Sequence, residues 1–272
     1  MASNQLNGES NNRILVERDG FVATVMLNRP EKLNALTKDM WEQIGLIFQE
    51  LDKDEQLRCV ILRGVGDEAL GPGADISEFA TERKDSEHGR HYGELMHKAM
   101  GALNKCRHPV VARIKGLCIG GSLELALVCD IRVAGDTARF GIPINRLGLV
   151  MALPEIAALI QVVGPSVALE ILYEGRIFGA SEAKEKRLIN KVVPDDQVDI
   201  VIGEMVAKIC GGAPLVNRWH KKFVRLLVDG ARNNLPLTEE DVLEGYACFD
   251  TEDYQEGIRA FLAKKTPSFE GK

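Results

Sequence analysis

The chain has no apolar run approaching the ~18 residues that span a membrane, no C-x-x-C pair among its six cysteines, and no excess of positive charge. The first absence excludes a single transmembrane helix. The opening MASNQLNGESNNR also lacks the apolar core of a signal peptide, so a cytoplasmic protein without a membrane partner is expected. Cysteines 59, 106, 118, 129, 210 and 248 sit mostly in apolar runs and read as reduced core residues. A formal net charge of −6 offers no field for nucleic acid, so any anionic ligand must be held by local Lys and Arg side chains. His88, His91 and His97 fall in the charged stretch TERKDSEHGRHYGELMH, but their spacing matches neither H-E-x-x-H nor Cys/His pairs. A solvated helix or pocket flap is the reading there, and no metal is expected.

What is present is enough apolar material for a sizeable core. With 272 residues, 45% hydrophobic and 27% charged, the chain fits one main domain and a smaller helical extension. Residues 1–12, rich in Asn and Ser, read as a disordered arm. Ile14 to Asn28 reads as two short strands around Arg18-Asp19-Gly20. From Thr37 to Leu51 the spacing puts Met40, Ile44, Ile47, Phe48 and Leu51 on one helical face. Cys59 to Leu62 begins another strand. Strands alternating with helices through Gly175 predict an α/β core over residues 13–195, and Val198 to Lys272 is mainly helical, giving a second region over 196–272.

The most informative stretch is PVVARIKGLCIGGSLELALVCDIRVA, Pro109 to Ala134. Val110 to Ile114 is β-branched enough for a buried strand, Gly116 to Gly121 reads as a glycine-rich turn, and Ser122 to Val128 continues as a packed helix. Glu124 therefore sits at a helix start in apolar surroundings, which can raise its pKa toward the range useful for proton transfer, while N–H groups at that end can hold a developing oxyanion. Alone, the glycine pair fits close backbone packing, and the glutamate fits dipole complementation, equally well. A second glycine-rich segment, GPGADISEF at Gly71 to Phe79, again follows a probable strand, and two such turns could supply two N–H donors.

Together with NRPEKLNAL, Asn28 to Leu36, these segments resemble the enoyl-CoA hydratase/isomerase family, the crotonase superfamily. CDIRVAGDTARFGIPINRLGL, EGRIFGASEAKEKRLINKVVPDD and the tail EGIRAFLAKKTPSF extend the resemblance in order from about Leu15 to Phe269. It implies a spiral of repeated ββα turns followed by a C-terminal helical trimerisation region, although no internal sequence repeat displays the spiral. It also implies an acyl-CoA thioester as substrate, with coenzyme A as part of that substrate and no tightly bound cofactor, and a homotrimer or dimer of trimers.

Residue by residue, the resemblance puts the two oxyanion donors on the backbone N–H groups of Ala74 and Gly121, with Glu124 as the proton-transfer residue. Gly73, Asp75, Ile76 and Gly120 border that site. Lys32, Leu33 and Ala35 lie beside the nucleotide or pantetheine of CoA, and Phe261 and Lys264 reach a neighbouring subunit's nucleotide. Tyr92, Leu95 and Met96 are implied to shape the acyl pocket, while Asp75 and Glu78 read as caps of the following helix.

One departure bears on the reaction. The second glutamate of the hydratases is replaced by Ile144, followed by Asn145 and Arg146, and the glycine-rich element after it is replaced by Met151, Leu153 and Pro154. Glu155 is the nearest acidic candidate for the missing role, but starting the helix that Leu153-Pro154 introduces is the favoured reading. Enoyl-CoA hydration is the first expectation. Double-bond isomerisation, decarboxylation or hydrolysis of an acyl-CoA, and a catalytically weak acyl-CoA-binding homologue, are the alternatives.

Overall fold

A computed structural model describes residues 12–233 and 235–272; the expected disordered arm, apart from Asn12, lies outside the described residues. Strands β1 (Ile14–Asp19) and β2 (Val22–Leu27) form an antiparallel hairpin with Ile14 opposite Leu27. Helix α1 (Lys38–Lys53) starts at Thr37, whose hydroxyl accepts from the Met40 N–H at 3.3 Å. Its core side carries Met40, Ile44 and Phe48 as expected, with Ile47 and Leu51 half-buried. Trp41, one position off the expected stripe, is also fully buried. Each such large side chain contributes roughly 1.5–3 kcal/mol on leaving water.

From here the chain repeats one pattern. β3 (Cys59–Gly64) and β4 (Ala69–Gly71) are followed by helices α2 (Phe79–Glu82) and α3 (Ser86–Lys105). β5 (Val110–Ile114) and β6 (Leu117–Ile119) are followed by α4 (Gly121–Leu127). β7 (Ile131–Gly135) and β8 (Arg139–Gly141) are followed by α5 (Leu153–Val163) and α6 (Pro165–Glu174). The first strand of each turn joins a six-stranded sheet and the second joins a four-stranded sheet, which is the ββα spiral the family resemblance implies. Strand β9 (Phe178–Gly179), helix α7 (Ala180–Glu185) and strand β10 (Lys191–Val193) close it. The larger sheet runs β1-β2-β3-β5-β7-β10 and the smaller β4-β6-β8-β9, parallel except for β1/β2 and β8/β9.

The stretch 116–121, read from the sequence as a turn, contains β6. Three residues are too few for a periodic signal, and their strand character comes from pairing with β4 and β8 on either side. Arg113 on β5, only 4% exposed, reaches Asp67 at 2.6 Å and Asp199 at 2.8 Å, and Lys115 reaches Asp67 at 3.1 Å. Two buried cations thus share two carboxylates at the end of the central strand.

The contacts divide the chain into two compact units. One comprises the residues to Cys106 with Val110–Ile202, and the other comprises Arg107–Pro109 with Gly203–Lys272. The second unit holds most of α8 (Val198–Gly211), then α9 (Pro214–Asn233), α10 (Glu239–Glu244) and α11 (Glu252–Leu262). Within it the buried Asp253 carboxylate accepts from the Glu270 and Gly271 N–H groups at 2.7 and 3.0 Å, folding the tail back on α11. All six cysteines are free, the four in the first unit buried. Among the described residues no single helix is long and apolar enough to cross a membrane.

Candidate active site

The first donor turn is held by the Asn28–Leu36 segment rather than by its own side chains. Leu33 and Asn34 take left-handed backbone angles, φ 51° and 65°, which bring the Asn34 side chain inward. It is 1% exposed; its amide donates to the Val65 and Ala69 carbonyls at 3.1 and 2.9 Å, and its oxygen accepts from the Arg29 N–H at 3.0 Å. The Leu36 N–H donates to the Gly73 carbonyl, and the Asp75 N–H donates to the Leu36 carbonyl, both at 2.8 Å. This parallel bridge leaves the Ala74 N–H pointing away, without an acceptor among the described residues.

The second turn lies against the first. Gly73 has φ 104°, and a Cβ on it would come within 3.2 Å of the Ile119 carbonyl oxygen and 3.3 Å of the Gly121 nitrogen. Only glycine permits both the angle and the approach. The Gly73 N–H donates to the buried Ser122 hydroxyl at 3.3 Å, a further tie between the turns. A Cβ on Gly121 would stand 3.7 Å from the Ala74 nitrogen, 3.9 Å from Glu124 Oε2 and 3.3 Å from Cζ2 of Trp41. Two backbone donors and one carboxylate therefore meet around one hydrogen-only position. As the first residue of α4, Gly121 has an N–H with no partner inside the helix.

Helix α4 is short, and its far end is held from outside. The buried Arg132 guanidinium donates to the Ala126 carbonyl at 3.3 Å, a group that a seven-residue helix leaves open, and to the Cys129 and Leu188 carbonyls beyond the helix at 2.7 and 2.9 Å. On the opposite end, Glu124 is 5% exposed and accepts no hydrogen bond from the described residues. Burial raises its carboxyl well above the usual range, the charge of Glu155 adds to this, and the Arg83 guanidinium opposes it. A carboxyl kept protonated near neutral pH can deliver a proton to carbon.

The sequence offers Glu155 as an acidic candidate for the second role and favours a helix-starting one. It does start the helix, since Oε2 accepts from the Ala152 N–H at 2.8 Å. It is also 6% exposed, and Oε1 lies 2.9 Å from His97 Nε2. The three histidines of the charged stretch go to three different carboxylates: His88 to Asp85, His91 to Glu94 and His97 to Glu155. Arg83, passed over in the sequence, lies over the rings of Phe79 and Tyr92 at 4.7 and 3.8 Å and donates to Met96 Sδ at 3.2 Å. Tyr92 and Met96 are buried and Leu95 half-buried. A hint was available: Glu155 at the third position of a helix opened by Pro154 is a capping arrangement, which also fixes its direction.

The remaining expected residues are dispersed. Lys32 and Leu33 are exposed on their turn, while Ala35 is buried and its carbonyl accepts from Arg29 at 2.7 Å. Asp75 does cap its short helix, accepting from the Ser77 N–H at 3.0 Å, and pairs with Arg29 at 3.0 Å; Ile76 is exposed. Glu78, expected to cap the helix that follows, instead accepts from the Lys38 N–H at 2.8 Å and so caps α1. Sequence distance concealed this, because the tertiary fold brings the start of α1 beside the helix that Glu78 ends. Gly120 takes φ 50° ahead of α4, and Ile144 is half-buried against the core. Phe261 is 81% exposed and Lys264 exposed, both in the second unit.

The profile of the enoyl-CoA hydratase/isomerase family matches residues 17–272. A short-chain-enoyl-CoA hydratase of Clostridium acetobutylicum is 32% identical over 93% of this chain and 96% of its own length. A crotonyl-CoA hydratase of Syntrophomonas wolfei is 29% identical over 94% and 97%. A crystal structure of an enoyl-CoA hydratase/carnithine racemase from Magnetospirillum magneticum superposes with a TM-score of 0.94 at 45% identity, covering 98% of this chain and 99% of that one. With these matches spanning nearly its whole length, the chain belongs to the enoyl-CoA hydratase/isomerase family.

Proposed function

We propose that this protein adds water across the double bond of an enoyl-CoA thioester. The observation that carries the reading is the meeting of the Ala74 N–H, the Gly121 N–H and the Glu124 carboxyl around the Gly121 α-carbon. As a nucleophile bonds to Cβ, negative charge collects on the thioester oxygen, and two preorganised N–H donors stabilise it more in the transition state than in the ground state. Glu124 then protonates Cα. The hydratase relatives from C. acetobutylicum and S. wolfei support this reaction over others that use the same enolate.

Coenzyme A is part of the substrate, with Lys32, Leu33 and Ala35 beside its pantetheine or nucleotide. The second unit, with Phe261 and Leu262 at 81% and 77% exposure, is the surface for a trimer or dimer of trimers. Sedimentation at micromolar concentration tests that assembly; a monomeric mass rejects it. Isomerisation is the second reading, favoured by Ile144 standing where the hydratases carry a second glutamate. Turnover of a panel of unsaturated acyl-CoAs in heavy-oxygen water separates the two. Hydration incorporates one labelled oxygen in the product, whereas isomerisation changes the double bond without adding mass.

A further inference from the structure

Resting on the hydratase reading, we propose that Glu155 is the second carboxylate of the reaction, taking a proton from the attacking water, and that His97 positions it. Hydration needs a base for water as well as an acid for Cα, and Ile144 can supply neither. Glu155 comes from a different place in the chain, the first turn of α5, which packs against α4. Each of its oxygens has one fixed neighbour, the Ala152 N–H at 2.8 Å and His97 Nε2 at 2.9 Å, so the carboxylate is aimed by two elements, α5 and α3. To act as a base Glu155 must be ionised, and because an ionised carboxylate only accepts, the proposal requires Nε2 to carry the proton in this pair. Each oxygen keeps a lone pair for water.

The charge of Glu155 acts on Glu124, which places the two groups within electrostatic reach inside the protein. Two carboxyls whose charges act on each other cannot both ionise without cost. Glu155, with a hydrogen-bonded histidine and an N–H, is the better place for the charge; Glu124, with no such donor, is the better place for the proton. Their environments therefore divide the roles of base and acid.

The step balances as follows. A water O–H bond breaks, its proton goes to Glu155, and the oxygen bonds to Cβ of the enoyl thioester. The π pair of the C=C bond moves toward the thioester, and the charge rests on the oxygen held by the Ala74 and Gly121 N–H groups. The enolate then takes the proton of Glu124 at Cα, leaving Glu124 ionised and Glu155 protonated. Return of one proton from Glu155 to Glu124 through solvent restores the starting state.

The test compares two reactions on the same variants. Crotonyl-CoA hydration needs both carboxyls, whereas exchange of the α-proton of butyryl-CoA with deuterated water needs Glu124 and the donor pair but no water addition. In Glu155→Gln, which keeps an oxygen for Ala152, hydration should fall by about 100- to 10,000-fold, crotonyl-CoA affinity should stay within about threefold of the parent, and exchange should not fall, because losing the Glu155 charge favours the ionised Glu124 that takes the α-proton. Hydration within about threefold of the parent, or an equal fall in both reactions, overturns the role. Should that variant not fold, Glu155→Asp decides by the same criteria, with a fall of at least about tenfold in hydration expected from withdrawing the charge by one methylene. For the positioning role, His97→Phe should lose hydration but not exchange, and His97→Gln, which keeps a donor, should recover at least part of it; equal loss in both variants removes His97 from the assignment. If the parent incorporates no labelled water into any enoyl-CoA, it is the hydratase reading that fails, whatever Glu155 does.

Discussion

The N–H of Leu36 donates to the carbonyl of Gly73 at 2.8 Å, joining the turn after β2 to the turn after β4 across 37 residues of sequence. Asn34 holds the same junction from inside, bonded to Arg29, Val65 and Ala69. Replacing Asn34 with Ala takes this partner from the Arg29 N–H and from the Val65 and Ala69 carbonyls, and puts a Cβ residue without a compensating side chain at φ 65°. The loss should be about 2–4 kcal/mol, read as a lower denaturant midpoint with an unchanged slope. An unchanged midpoint would show that the turn is held without it.

Glu124→Gln keeps the size of the side chain but removes the exchangeable proton of a carboxyl. Turnover should fall by about 100- to 10,000-fold with acyl-CoA affinity, measured by calorimetry, largely retained. A folded variant that turns over its best substrate within about threefold of the parent would assign the proton to another group.

The pH dependence follows from the same residue. Burial, then the charge of Glu155, raises the Glu124 carboxyl to about 8. As the acid it must be protonated, so kcat/KM for hydration should hold up to that pH and fall above it. Stability shares the sign. The native state holds a proton that the unfolded chain releases near 4.5, so this contribution is whole below 4.5, shrinks as pH rises, and is gone once pH passes about 8. Glu124→Gln, with nothing to ionise, should gain stability relative to the parent as pH rises, in unfolding titrations across that window.

Removing Arg113 should cost stability rather than chemistry. Arg113→Met leaves Asp67 and Asp199 facing each other and Lys115; because both carboxylates are more than half exposed, water softens the loss to about 1–3 kcal/mol. Hydrogen bonding from Arg113 holds the Asp199 carboxyl down at about 2. Its contribution is therefore present above 3.8 and lost as pH falls through about 2. Acid unfolding of Asp199→Asn should lack that portion of the pH dependence.

Much of the fold was legible because it is written in local patterns. β1, β2, β3 and β5 are β-branched or apolar runs, α1 carries a helical stripe behind a threonine cap, and the glycine pairs at Gly71–Gly73 and Gly120–Gly121 mark where backbone must approach backbone. Ala74, Gly121 and Glu124 could be nominated from sequence for that reason: a glycine-rich turn before a buried carboxylate is a local signal, and the family resemblance paired the two turns. β6, three residues long, carried no such signal; only its neighbours make it a strand.

Residue identity by itself determined which backbone turns could come close, since only Gly73 tolerates its angle and approach, and it determined that Ile144 cannot act as a base. The tertiary structure decided which buried carboxyl acts electrostatically on Glu124. Glu155 lies 58 residues from His97 in the chain and its charge is felt by Glu124, yet nothing in the spacing of the three announces a partnership. Hydrogen bonding and electrostatic coupling act through space, and a pair such as His97 and Glu155 exists only after α3 and α5 have packed beside the same core.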